Sequence, residues 1–205
     1  MRGERRLHQL VATAADMFLD VGYEALTVDH LIARVGGSRR NVYDHFGGKS
    51  GLFVEAVKHL CDEIAVPIEA LPLRDGNLPA MLHMFGMALV RATLSPRALA
   101  LHRLMIAEGQ RFPELAQAIY AAGHQRGEHI LAAALERSSD AFGSNIPTPV
   151  FAAQFVNLLV AGAQLRALVG LSGLPLPEDQ IARIVNDALS FGTPCFRDYA
   201  QEKKR

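Results

Sequence analysis

The sequence contains no tryptophan and only two cysteines, Cys61 and Cys195. Two isolated thiols far apart make neither a disulfide framework nor a zinc-ligand spacing, so reduced cytoplasmic thiols are expected. An excess of charge of either sign is also missing, because 21 Lys and Arg balance 21 Asp and Glu. Neutrality weighs slightly against nucleic-acid binding but is compatible with a small basic face attached to a large neutral domain. No stretch shows the alternation of a half-buried strand, which leaves an all-α protein. There is no His-Glu-x-x-His, no Gly-x-x-x-x-Gly-Lys loop, no Gly-x-Ser-x-Gly elbow and no dinucleotide fingerprint. Enzymatic readings therefore have little to stand on, and no cofactor is expected. His59 and Cys61 are two apart, and His124 and His129 are five apart. Both spacings turn the side chains to different helix faces, so no metal site is expected. The opening MRGERRLHQL is charged and carries no apolar signal segment, which predicts a cytoplasmic protein. Its Arg2, Arg5 and Arg6 form a basic arm that either lies on DNA or is simply solvated.

What is present is most informative at residues 27–49, TVDHLIARVGGSRRNVYDHFGGK. Val28, Leu31, Ile32 and Val35 recur at i, i+3, i+4 and i+7 and draw one apolar stripe along a short helix. Thr27 stands where a hydroxyl caps the first turn, and Gly36 and Gly37 follow the last. Ser38 caps a second short helix running to about Phe46. Two short helices joined by a Gly-containing turn outline a helix-turn-helix. In the second helix Val42 and Phe46 pack inward, leaving Arg39, Arg40, Asn41, Tyr43, Asp44 and His45 outward or flanking. Arg pairs bidentately with guanine and Asn with adenine, each worth roughly 1–3 kcal/mol of discrimination. Gly47, Gly48 and Lys49 open a further helix whose N–H groups and lysine suit a backbone phosphate. A basic pair alone could be a solvated face; the run of cap, turn, cap and Gly-Gly-Lys favours reading DNA.

Residues 7–57 resemble the N-terminal DNA-binding domain of TetR/AcrR transcriptional regulators. The resemblance is carried by Ala14, Ala15, Phe18, Gly22-Tyr23, Thr27-Val28, Ile32-Ala33, Gly36, Ser38, Val42-Tyr43, His45-Phe46, Lys49 and Leu52-Phe53. It implies that Thr27, Tyr43, His45 and Lys49 contact the DNA backbone, while Arg39, Arg40 and Asn41, beside the Ser38 cap, read sequence. Gly37 departs from the family, which usually has Val in the turn. Loss of a buried Val would remove roughly 1.5–3 kcal/mol of packing, so a looser domain is expected.

Before this stretch, Leu7, Leu10, Val11, Ala14, Ala15, Phe18 and Leu19 predict a helix from Glu4 to Val21 that ends at Gly22. After it, a connecting helix spans 49–66 and is kinked or stopped by Pro67. The expected division is thus a helix-turn-helix domain at 1–48, the connector, and a C-terminal domain at 67–205. Pro79, Pro96, Pro113, Pro149 and Pro177 each sit where a first helical residue belongs. Ser95 and Thr148 precede two of them as caps. Helices are predicted at 79–93, 96–110, 113–138, 149–170 and 178–192, with a short tail helix after Pro194 and a long loop at 142–149.

The helix from Val150 to Val169 is nearly long and apolar enough to cross a membrane. Gln154, Asn157, Gln164 and Arg166 argue against that, since each would need a partner in lipid. Such a helix is expected to be covered by its own domain and by a second subunit. The helices at 149–170 and 178–192 resemble the pair that TetR-family proteins use for a four-helix dimer interface. RLMIAEGQRFPELAQAIY (103–120) and FVNLLVAGAQLRALVGL (155–171) are similar to the C-terminal domain of the AefR-like branch.

The resemblance implies a homodimer on a palindromic double-stranded operator, with release when a small molecule enters the C-terminal domain. Soft residues that could line a pocket are Met81, Met84, Phe85, Met105, Phe112, Tyr120, Phe151 and Phe155, although each also suits ordinary core. His102, Glu108, Gln154, Asn157 and Arg166 are polar positions on apolar helices. They either orient a ligand or, for Glu108 and Arg166, form a buried pair. The first reading is a homodimeric repressor released by a small hydrophobic effector. A DNA-binding regulator with a protein partner or no ligand stays open, as does a hydrophobic-ligand binding protein with a vestigial helix-turn-helix. Control of efflux or detoxification is the family's common use.

Overall fold

The computed structural model describes residues 2–73, 77–138 and 146–192. Within them every regular element is helical, as the missing strand alternation predicts. The chain forms two compact units. Residues up to Glu63 together with Ala100–Ala122 make one, and Ile64–Leu99 together with the described residues from Gly123 onward make the other.

The first unit begins with α1 (Arg2–Ala25), whose face of Leu10, Ala14, Ala15 and Phe18 is buried. Gly22 interrupts the helical dihedrals at φ 80° and ψ 174°, a backbone conformation that favours glycine. The chain then delivers Tyr23 and Leu26 to the core. α2 (Val28–Val35) and α3 (Arg39–Phe46) follow, and they bury Leu31 and Val42 completely. α4 (Lys49–Glu69) adds Leu52, Phe53, Ala56, Val57 and Leu60. The end of α6 (Pro96–Glu108) and α7 (Pro113–Tyr120) belong to the same unit. Phe112, between them, joins an aromatic cluster with ring centroids 4.7 Å from Tyr23 and 5.6 Å from Phe53. Both contacts are edge-to-face, the arrangement in which a positive ring edge meets a negative face.

The second unit is built on α5 (Leu78–Thr93), α8 (Arg126–Arg137), α9 (Thr148–Leu168) and α10 (Glu178–Gly192). Phe85, Leu131, Leu135, Phe155, Leu159 and Val185 lie at its centre. Gly86 lets α5 approach α10, since a Cβ there would stand 3.0 Å from Val185. The same two helices are joined at the surface by Arg91, which donates from Nε and Nη2 to Glu178 at 3.0 and 2.7 Å.

Several expectations need correction. α4 does not stop at Pro67 but runs to Glu69. Ile68 is buried in the second unit's core, and packing there outweighs the hydrogen bond that proline forfeits. The single helix predicted at 113–138 is divided by a π-helical segment, Ala121–Gln125. Thr148 is not a cap: it lies inside α9, and its hydroxyl donates to Glu136 at 3.2 Å. Asn77, which reads in the sequence only as the end of a turn, caps α5 by accepting from the Ala80 N–H. Gly37 leaves no packing hole, because it is exposed, has φ 119°, and a Cβ there would meet nothing within 4 Å. Arg166 is exposed, so the reason for expecting a buried pair with Glu108 falls away. The tail helix after Pro194 and residues 142–145 of the 142–149 loop lie outside the described residues.

Candidate nucleic-acid interface

Two capped helices make the surface. The Thr27 hydroxyl accepts from the His30 N–H at 3.2 Å and starts α2, and the Ser38 hydroxyl accepts from the Asn41 N–H at 3.3 Å and starts α3. α2 ends where the Gly36 N–H donates to the Ile32 carbonyl at 2.8 Å. Gly36 and Gly37 both have positive φ, so the turn needs glycine at each. With Val42 buried beneath it, α3 presents Arg39, Arg40, Asn41, Tyr43, Asp44 and His45 to solvent. Gly47 closes α3 in the left-handed conformation, and Gly48 lies under the Tyr43 ring, where a Cβ would be 3.2 Å from Cε1.

The two arginines are held differently. Arg39 makes a two-pronged ion pair with Asp29 on α2, Nε donating to Oδ1 and Nη2 to Oδ2. This pairing raises the Arg39 pKa above its ordinary value. Arg40 reaches Asp44, one turn along its own helix, through a single Nε contact of 3.3 Å.

Lys49 is engaged within the unit. Its ammonium donates to the Glu24 carbonyl at 3.2 Å and lies 4.3 Å from the centre of the Tyr23 ring. Desolvation there lowers its pKa, and two of its three N–H groups remain for another acceptor. Arg111 lies over the same ring at 5.3 Å and pairs with the Glu24 carboxylate. Burial raises the Tyr23 pKa, with Arg111 opposing the shift and Glu108 adding to it.

The residues named for a ligand pocket fall in both units. Met105, His102 and Glu108 are half-buried and Tyr120 is exposed, all in the first unit. In the second, Phe85, Phe151 and Phe155 are core residues, with Phe151 and Phe155 stacked at 5.8 Å and Met84 packed against the cluster. Gln154, Asn157 and Arg166 are exposed on α9. An open groove of about 270 Å³ runs between α9 and α10, lined by Leu158, Leu159, Ala163, Ile184, Asp187, Ala188 and Phe191. None of the pocket candidates lines it. Among the described residues no group of His, Cys, Asp and Glu is placed to hold a metal ion.

Residues 10–56 match the model for bacterial regulatory proteins of the tetR family, and residues 80–195 match the C-terminal domain of AefR-like transcriptional repressors. The second match alone spans more than half of the chain. The chain belongs to the TetR family. It is a DNA-binding transcriptional regulator, and regulators of this family are not enzymes. A TetR-family transcriptional regulator from Mesorhizobium loti MAFF303099 matches 93% of this chain and 98% of its own, at 21% identity and a TM-score of 0.83. The flavonoid-responsive regulator FrrA matches 92% of this chain and 95% of its own, at 26% identity and a TM-score of 0.76. A transcriptional regulator from Pseudomonas aeruginosa PAO1 matches 97% and 95%, at 17% identity and a TM-score of 0.71.

In this TetR-family chain, three residues around the helix-turn-helix carried no signal in the sequence. Asp29 is ten positions from Arg39, a separation that no helical spacing connects. Arg111 reaches Tyr23 and Glu24 from a distant part of the chain. Gly51 reads as an ordinary residue of a helical first turn, yet a Cβ there would overlap the Phe46 carbonyl oxygen.

Proposed function

We propose that this TetR-family regulator is a cytoplasmic homodimeric repressor that leaves its operator when a small hydrophobic ligand binds. The observation that carries the dimer is the apolar face of α9 and α10. Leu158 is 48% exposed, Leu165 63% and Phe191 75%, around the groove described above. A contiguous apolar surface of this kind marks an interaction site. α9 is also long and apolar enough to cross a membrane. Its exposed Gln154, Asn157 and Arg166 suit a wet protein interface better than lipid.

A two-fold pairing through this face would place two copies of α3 on half-sites about 34–36 Å apart, or a multiple of that. Arg39, Arg40 and Asn41 would then read bases. Thr27, Ser38, Tyr43, His45 and Lys49 would hold phosphates, with Lys49 using the N–H groups that Glu24 leaves over. Repression accords with the AefR-like repressor domain that the C-terminal stretch matches. FrrA is by its name flavonoid-responsive, and its likeness supports a planar aromatic effector among the soft residues Met84, Phe85, Phe151 and Phe155. Such an effector acts only if it prefers the conformation that cannot span both half-sites.

One observation favours regulation without a ligand. Gln154, Asn157 and Arg166 face solvent, so they supply no fixed polar groups to an interior pocket. Titration of the operator complex with a flavonoid panel separates the two readings. Release at micromolar ligand supports the sensor, whereas no release and no change in melting temperature supports the ligand-independent regulator. For the dimer, light scattering on Leu165→Glu with Phe191→Glu should give a folded monomer; an unchanged mass would refute the α9–α10 interface.

A further inference from the structure

We propose that Asp29 is a specificity-determining positioning residue, which fixes the Arg39 guanidinium so that one edge is held by the protein and the other is offered to a guanine. This rests on the reading that Arg39 contacts bases.

The geometry singles out this pair. Asp29 lies in the first turn of α2 and Arg39 is the first residue of α3. Each helix start is tied by its own cap, Thr27 and Ser38, so both ends of the ion pair have a fixed backbone. The carboxylate takes one N–H from Nε and one from Nη2, the side edge of the guanidinium. Five N–H groups are available in a rigid plane. Three remain, and two of them, one on each Nη, point in parallel along the end of the plane. That end matches the O6 and N7 acceptors of guanine in the major groove. A guanidinium gripped on its side edge therefore loses rotamer freedom before it meets DNA, and loses none of the edge that reads.

Stability does not explain the pair. Its side chains are 68% and 56% exposed, and exposed ion pairs contribute little to folding. Arg40 makes the contrast, with one contact of 3.3 Å at 87% exposure and, among the described residues, no ion pair to another helix. It keeps its freedom and suits a base position that varies.

A competing role for Asp29 is simple masking of a positive charge, and the two roles differ in what they do to discrimination. The probes are a duplex enriched by the wild-type protein from a random pool and a scrambled duplex of equal length. If Asp29 positions Arg39, Asp29→Ala lowers the ratio of enriched to scrambled affinity by about tenfold, a part of one bidentate pair. The loss should map to a guanine position, and Asp29→Asn, which keeps an acceptor, should recover part of it. Masking instead predicts that Asp29→Ala tightens binding to both duplexes with the ratio unchanged, which overturns the proposal. Arg39→Ala supplies the second control. In that background Asp29→Ala should leave the ratio where it is; a further loss means Asp29 acts through the fold, and the proposal fails. If Arg39→Ala alone leaves discrimination intact, the base-reading role of Arg39 fails and takes the proposal with it.

Discussion

Replacing Gly51 by alanine sets two effects of opposite sign against each other. Gly51 is the third residue of α4, and alanine in a helix is favoured over glycine by about 0.8–1.0 kcal/mol, less in a first turn. Against this, the added Cβ would fall on the Phe46 carbonyl oxygen and within 2.9 Å of its carbonyl carbon. Neither atom belongs to a flexible side chain, so the end of α3 must move away from α4. Displacements of that kind in packed sites typically cost about 1–3 kcal/mol. The steric term is the larger, and Gly51→Ala should destabilise by about 1–2 kcal/mol net. Moving Phe46 also moves the helix that carries Arg39 to His45, so operator affinity should fall more than stability does. Urea unfolding gives the first quantity and titration of a fluorescent duplex gives the second. A neutral or stabilised Gly51→Ala protein with full affinity would show that α3 is not held against α4 as described.

Two other substitutions follow from the same structure. Phe112→Ala removes two edge-to-face contacts, with Tyr23 and Phe53, and should cost about 2 kcal/mol in urea unfolding; an unchanged midpoint would mean the cluster is complete without it. Arg91 holds the Glu178 carboxyl below its ordinary pKa of 4.5. The stabilisation from this lowered carboxylate is fully present above that ordinary value and fades as pH falls through the lowered one. Glu178→Gln should therefore lower the melting temperature at neutral pH slightly and flatten its dependence below pH 4.5; parallel curves for the two proteins would contradict the pairing.

The helix-turn-helix was legible because its determinants are local. Thr27, Ser38, the paired glycines and the stripe of Val28, Leu31, Ile32 and Val35 all act within a turn or two of one another. What escaped was set by distant partners. The Asp29–Arg39 pair spans a turn, and Phe112 and Arg111 reach Tyr23 from another part of the chain. Thr148 finds Glu136 rather than its own helix end because a carboxylate on α8 is within reach. α9 defeats periodicity for a different reason. Its apolar residues run nearly all round, so spacing cannot tell that Phe155 is buried while Leu165 and Arg166 are exposed. The polar positions chosen as pocket candidates on that helix share this ambiguity.

The aromatic cluster of Phe18, Tyr23, Phe53 and Phe112 has a consequence for engineering. Phe112, 66 residues beyond the end of α3, completes the hydrophobic floor on which the helix-turn-helix stands. A fragment cut after α4 would bare the edges of Tyr23 and Phe53 to water and leave the Glu24 carboxylate without Arg111. The DNA-binding portion is thus not a portable cassette. A chimera that swaps sensor domains would have to carry the segment from Ala100 to Ala122 along with α1 to α4, placing the productive splice points inside helices rather than in loops.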